Sequence, residues 1–115
     1  MDYSQLSDFE INRMVGDVIF KGLWSCKPET SGNDTGKWYY GNADTTFGEL
    51  KPLPNYCSKW DATGPIIEAN GIGLRKQSNG LWCATRIGGE YPKYDKNPLR
   101  AAMIVFLQMQ DAKHV

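Results

Sequence analysis

The sequence predicts an α+β fold in which a small antiparallel β-sheet, built around a central hairpin, packs against an N-terminal and a C-terminal helix. Three patterns support this prediction: an apolar stripe at helical spacing near the start, two extended segments joined by a loop that ends in glycine, and a broad apolar helix at the end. A chain of 115 residues is long enough for one core. We therefore expect residues 1–115 to form a single domain.

The first helix is predicted over 8–21. Ser7 and Glu10 have the spacing of a capping box, and Leu6 and Ile11 have the spacing of a hydrophobic staple. Apolar residues then recur at helical spacing and form one stripe. This helix is expected to pack against the core.

The segment 25–56 is rich in Gly, Pro, Ser, Thr, Asn and Asp, a composition typical of loops and turns. A connection this long is uncommon in a small domain unless it is functional or an insertion, and we leave both open. Its aromatic cluster, Trp38, Tyr39 and Tyr40, predicts a short strand. These rings are expected either to close the core or to form a contact surface.

A second, short helix is predicted with Thr63 or Gly64 as its N-cap and Pro65 at its first helical position. Proline is favoured there because its missing N–H would have no partner in the first turn. The pair Asn70 and Gly71 is expected to end the helix and to lead into a strand.

A hairpin is predicted from two extended segments, 72–77 and 81–87, which flank a three-residue loop ending in Gly80. Side chains alternate between the faces of a strand, so Trp82 lies on the opposite face from Cys83. Trp82 is expected to cover the second face of the sheet, beside a helix.

The segment 88–96 is predicted as a loop before the last helix. Asn97 is the expected N-cap of that helix and Pro98 its first residue. Its apolar side chains form the broadest apolar surface in the chain and are expected to make it the main support of the core: Leu99, Ala102, Met103, Val105, Phe106, Leu107 and Met109.

The composition excludes several classes of protein. With 41% hydrophobic and 12% aromatic residues the chain is not disordered, and 13 basic side chains balance 13 acidic ones. Zero net charge argues against a general nucleic-acid coat, so duplex DNA is a disfavoured partner. No apolar run could cross a membrane and the polar start does not resemble a signal peptide, so no membrane partner is expected.

The three cysteines, Cys26, Cys57 and Cys83, form no disulfide framework and no CxxC pair. His114 is the one histidine, so a Cys/His zinc site lacks ligands, and we expect no metal and no cofactor. Reduced, buried thiols in a cytosol are expected. A Cys–His nucleophile pair is a minor alternative.

The predicted binding site is a basic surface in the last third of the chain, since residues 71–100 carry six basic and two acidic side chains. Arginines pair with phosphates and aromatic rings stack on bases, so an anionic, stackable ligand would fit. The alternative is a solvated hairpin whose tyrosines pack on the last helix. The candidate binding residues are Trp60, Arg75, Trp82, Arg86, Tyr91, Lys93, Tyr94 and Arg100, with Trp38, Tyr39 and Tyr40 as a second contact loop.

Two segments resemble the NinX-like small proteins of lambdoid phages and prophages. One is 56–60 running into 64–68, and the other is 97–103, where Pro-Leu-Arg-Ala-Ala-Met looks like that family's Pro-Leu-x-Ala-Ala-Met helix opening. The resemblance covers the C-terminal half and the first helix, but not 25–56. It implies a phage accessory protein acting in the cytoplasm of the infected bacterial host. These glycines, prolines and alanines look architectural, so no reaction is implied.

Three functions remain open from the sequence. The favoured one is a non-catalytic accessory protein that counters or redirects a host defence system, by binding a host protein or by sequestering a nucleotide-like anionic signal. The second is a small hydrolase or nucleotide-modifying enzyme that uses Asp61, Glu68 or Cys57, although no GxSxG, HExxH, P-loop or GxGxxG motif is present. The third is a replication accessory module that binds DNA weakly. A homo-oligomer is compatible with all three.

Overall fold

The computed structural model describes residues 2–21, 23–26, 38–41, 51–89 and 92–113. Within them the chain forms three α-helices and two antiparallel sheets of three short strands each. The predicted α+β class is therefore confirmed, with helices at both ends of the chain. None of the helices in these ranges has the length and apolar character needed to cross a membrane.

Helix α1 (Asp8–Ile19) begins as predicted and ends two residues earlier than predicted. The Ser7 hydroxyl accepts a hydrogen bond from the backbone N–H of Glu10 at 3.1 Å, and the Glu10 carboxylate accepts one from the N–H of Ser7 at 3.1 Å. This capping box satisfies two of the N–H groups that a helix start leaves without partners. Ile11 and Val15 lie on the buried side of α1 and belong to the core.

The first sheet, which we call the N-terminal sheet, contains β1 (Trp24–Cys26), β2 (Tyr39–Gly41) and β3 (Lys51–Pro52), with β2 in the centre. Strand β2 confirms the strand predicted at the aromatic cluster. The prediction of loop at the ends of 25–56 is wrong, because β1 and β3 pair with the two edges of β2. Strands of two and three residues are too short to show alternation in a sequence. The rest of the predicted loop, 27–37 and 42–50, lies outside the described residues.

Helix α2 (Trp60–Asn70) starts more than one turn earlier than predicted, since Lys59 and not Thr63 or Gly64 occupies the N-cap position, without a side-chain hydrogen bond. Thr63 is no cap: its buried hydroxyl donates to the carbonyl of Tyr56. Pro65 therefore lies inside the helix and removes the bond to the Asp61 carbonyl. Both residues are exposed, so water can reach that carbonyl.

The second sheet, the C-terminal sheet, contains β4 (Ile72–Lys76), β5 (Trp82–Arg86) and β6 (Lys93–Asp95), with β5 in the centre. The predicted hairpin is confirmed, and Gly80 has the positive φ of 88° that its loop requires. Gly71 ends α2 with φ 63° as expected. The loop predicted at 88–96 is wrong at β6, a three-residue strand that is too short to show alternation and is defined by its pairing with β5.

Helix α3 (Pro98–Lys113) is the centre of the fold, since it contacts α1, α2 and all three strands of the C-terminal sheet. The Asn97 side chain caps it as predicted, accepting from the N–H of Leu99 at 2.9 Å and of Arg100 at 3.3 Å. Its side chains are buried on nearly all sides, as expected for a helix inside a core. They are Leu99, Ala101, Ala102, Met103, Ile104, Val105, Phe106, Leu107 and Met109.

The register of the C-terminal sheet shows which side chains lie on the face that packs against α3. Leu74 is paired with Ala84 and Lys76 with Trp82, and directly paired residues share a face. Leu74 and Ala84 pack in the core, so this is the inner face, and Trp82 lies on it at half burial. Trp82 therefore lies opposite Cys83 and on the helix-covered face, as predicted, but this face is the one that packs in the core, because α3 packs on the side of Ala84.

Candidate binding surface

The register divides the predicted binding residues between the two faces of the C-terminal sheet. Arg75, Cys83 and Tyr94 are paired across the three strands and lie on the face that points away from α3, which we call the outer face. Residues in this row are about 5 Å apart between neighbouring strands. Arg75 and Tyr94 are therefore neighbours across Cys83, and they form the part of the predicted set that the fold brings together.

The other predicted residues do not join this row. Lys93 is paired with Ala84, and Arg86 with Ile72, so both alternate onto the inner face, as Trp82 does. Trp60 is 56% exposed at the start of α2. Tyr91 lies outside the described residues.

Arg100 is part of the fold and is not presented to a ligand. Its side chain is 13% exposed and forms ion pairs with Asp95 at 3.1 Å and Asp8 at 2.7 Å. It also donates to the backbone carbonyls of Ser4 at 3.2 Å and of Leu6. The guanidinium thus holds the N-terminal segment against the start of α3, which a charge pattern could not reveal.

The outer face combines an arginine with exposed apolar groups. Tyr94 is 58% exposed and Ile87 is 78% exposed. The side chain of Arg75 is exposed and makes no hydrogen bond or ion pair with another residue of the described ranges. No acidic side chain of β4, β5 or β6 alternates onto this face. It therefore has one cation with apolar neighbours and no competing carboxylate within the strands.

A shallow depression of about 320 Å³ lies in the outer face beside Arg75. Gly73, Cys83 and Thr85 line it, and their small side chains leave the space open. A Cβ on Gly73 would meet only Thr85, at 3.8 Å. Gly73, Thr85 and Ile87 were not among the predicted residues, although alternation along the hairpin places all three on one face with Arg75.

The aromatic cluster of β2 is chiefly a packing structure. Tyr40 is buried, its ring stacks on Phe20 with 4.6 Å between centroids, and its hydroxyl accepts from Arg13. Burial is the main reason that the pKa of Tyr40 is raised. The Arg13 guanidinium lies 3.7 Å from the ring centroid of Trp38. Tyr40 therefore closes the core, which is one of the two roles predicted for the cluster. Trp38 and Tyr39 lie on either side of this packing at half burial.

The residues named for catalysis are not arranged for it. Cys57 is fully buried, and burial raises the pKa of its thiol to about 12, so it remains protonated at neutral pH and is a poor nucleophile. Asp61 and Glu68 are exposed and lie two turns apart on α2, about 10 Å along the axis. Across the described ranges, His, Cys, Asp and Glu side chains form no group of three that could hold a metal ion. His114 lies outside those ranges.

Comparison with protein families supports the resemblance noted in the sequence. The sequence model of the family described as bacteriophage P22, NinX matches residues 2–110. The match spans almost the whole chain, and its range includes the segment 25–56. No curated protein and no solved structure matches the chain. Because the family match includes all of α1 and α2, both sheets and most of α3, the chain belongs to the bacteriophage P22 NinX family.

Proposed function

We propose that this chain is a non-catalytic phage accessory protein that binds a host protein through the outer face of the C-terminal sheet, and so counters or redirects a host system. The observation that carries the proposal is the exposed Arg75, which has no acidic partner in the described strands and lies beside exposed Tyr94 and Ile87. Family membership supports a phage protein, and its site of action would be the cytoplasm of the infected bacterium.

The chemistry of the outer face fits a protein partner. Tyrosine and arginine are enriched among the residues that dominate protein–protein binding energies. Here both are carried by strands of a sheet whose other face packs on α3. Little ordering is therefore needed on binding, which favours affinity. The expected partner presents an apolar side chain for the region of Tyr94 and Ile87 and a carboxylate for Arg75.

A nucleotide-like ligand fits this surface less well. Tight phosphate binding uses several converging charged donors or a bidentate arginine with further partners. On the described strands, only Arg75 supplies a cation to the outer face, since Arg86 and Lys93 alternate onto the inner face and Arg100 binds Asp95 and Asp8. The nucleotide alternative would have to use this single arginine.

The test compares capture of host proteins by the wild-type chain and three variants from lysate of the infected host, quantified by mass spectrometry. Arg75→Glu reverses the cation and Tyr94→Ala removes the ring. Lys51→Glu is the matched control, since Lys51 is exposed on β3 of the other sheet. A specific partner should be lost at least tenfold with both outer-face variants and retained with the control. Equal capture by all four proteins would overturn the proposal.

A calorimetric titration with cyclic and linear nucleotides separates the two ligand classes. The protein-binding proposal predicts no heat from any of them. Saturable heat that disappears in Arg75→Glu and persists in Lys51→Glu would overturn the choice of a protein partner and favour the nucleotide-like signal.

A further inference from the structure

Among the described residues, strand β4 pairs with β5 only, so it leaves one edge of the C-terminal sheet open there. The N–H of Ile87 donates to the carbonyl of Gly71 at 2.9 Å, and the N–H of Gln77 donates to the carbonyl of Leu81 at 2.7 Å. The odd-numbered residues from Gly71 to Gln77 therefore direct their backbone N–H and C=O groups toward β5. Alternation then directs the N–H and C=O groups of Ile72, Leu74 and Lys76 away from β5.

These outward backbone groups have no partner among the described residues. The edge is also accessible, because Gly73, Arg75 and Lys76 are exposed and Leu74 is half-buried. Open sheet edges with unpaired N–H and C=O groups are templates for pairing with another strand. The open edge of β4 therefore needs a partner strand or a feature that prevents pairing.

We propose that β4 pairs antiparallel with β4 of a second copy of this chain, around a two-fold axis at Leu74. In this register Leu74 is opposite the partner's Leu74, and Ile72 is opposite the partner's Lys76. Every outward N–H and C=O of the three residues then has a partner. Two three-stranded sheets become one continuous sheet, with the interface repeated identically on both copies as a two-fold contact requires.

The side chains favour this register over its neighbours. With the axis at Leu74, Arg75 is opposite the partner's Gly73, so no side chain blocks it and no cation is directly opposite another. An axis at Arg75 or at Lys76 would place like charges opposite each other, which is unfavourable. An axis at Gly73 would put Lys76 opposite the partner's Asn70, which lies in α2 and not in a strand, so the axis at Leu74 is the register that pairs all three outward residues.

The dimer goes beyond the proposed function and does not depend on it. The two-fold axis is perpendicular to the sheet, so the outer faces of both copies lie on the same side, and two Arg75–Tyr94 rows would form one wider surface. A short strand buries less surface than a standard protein interface, so we expect a dissociation constant on the order of micromolar.

The test uses sedimentation equilibrium of the full chain over a range of concentrations around that value, with two substitutions at Gly73 that introduce charges of opposite sign. Gly73→Arg places a cation opposite Arg75 of the second copy, and Gly73→Glu places an anion there. Both should fold, since a Cβ at Gly73 meets Thr85 only at ordinary contact distance, and circular dichroism checks this. Tyr94→Ala on β6, away from the edge, is the control.

We expect a concentration-dependent dimer for the wild type and for Tyr94→Ala. Gly73→Arg should raise the dissociation constant at least tenfold, and Gly73→Glu should lower it. A wild type that stays monomeric at every concentration would overturn the inference. So would a dimer whose affinity is the same in both Gly73 variants, because its interface would then lie elsewhere.

Discussion

The contact between α1 and the N-terminal sheet makes a prediction about one glycine. A Cβ built on Gly16 would lie 2.6 Å from Leu53 Cδ1 and 2.7 Å from the hydroxyl of Tyr40, so α1 approaches β2 closely only because residue 16 has no side chain. We predict that Gly16→Ala destabilises the protein, although alanine is the better helix former.

Two opposing effects set the magnitude. Replacing glycine by alanine inside a helix is worth about 0.5–1 kcal/mol in favour of folding. Forcing a methyl group into a packed site costs about 1–3 kcal/mol. The Leu53 tip can rotate, but Tyr40 cannot easily move, since its ring stacks on Phe20 and its hydroxyl is bound by Arg13. We expect a net loss of about 0.5–2 kcal/mol.

Gly64→Ala is the control for the steric effect, because Gly64 lies inside α2 and a Cβ there meets no heavy atom within 4 Å outside its chain neighbours. Its gain should be smaller than the usual value of about 0.5–1 kcal/mol, because Pro65 follows it and a proline ring disfavours the helical conformation of a preceding residue that has a Cβ. Urea unfolding followed by tryptophan fluorescence and circular dichroism gives both free energies of unfolding. A lower free energy of unfolding for Gly16→Ala than for Gly64→Ala would show the steric cost of a methyl group between α1 and β2. If both variants gain the same stability, β2 does not pack on α1 at Gly16, and the reasoning is refuted.

Three further predictions concern stability and use the same unfolding measurement. Arg100→Ala should lower the free energy of unfolding by about 2–4 kcal/mol, because it removes the guanidinium that binds partly buried Asp95 and two backbone carbonyls. Exposed Arg75→Ala should change the free energy of unfolding by less than about 0.5 kcal/mol. Equal effects of the two substitutions would contradict the assigned role of Arg100. Asn97→Ala should cost about 1–2 kcal/mol through loss of the α3 cap, and a cost near zero would show that the cap is dispensable. Burial raises the pKa of the Cys57 thiol from 9.0 to about 12, so the unfolded chain loses this proton first as the pH rises above 9. The free energy of unfolding should therefore fall between pH 9 and 10, by at most about 1.4 kcal/mol per pH unit. The slope should be smaller in Cys57→Ala, and identical slopes in the two proteins would refute this prediction.

Features that depend on neighbouring residues were predictable from the sequence. The capping box of Ser7 and Glu10, the Asn97 cap and the glycine at the end of α2 all act within a few residues. The hairpin and its Gly80 loop belong to the same class. Their energies come from local backbone hydrogen bonds and allowed backbone angles, so the pattern of residues is sufficient to place them.

The start of α2 was mispredicted because a distant contact overrides a local signal. Thr63 has the side chain of an N-cap, but its hydroxyl bonds to Tyr56 while the helix extends to Trp60. The short strands β1, β3 and β6 were missed for a related reason, since each is defined by backbone pairing with another strand and is too short to show a pattern of its own.

The candidate site shows the same division. The sequence by itself determined that arginines and aromatic residues are concentrated around the hairpin of β4 and β5, and that alternate residues of each strand share a face. Only the tertiary structure decided that α3 covers the face of Ala84, that Arg100 binds the N-terminal segment, and that Arg75 with Tyr94 stays exposed. The packing of α3 on one face of the sheet and the ion pairs of Arg100 depend on how all the helices and strands are arranged. That arrangement cannot be read from the local composition of the sequence.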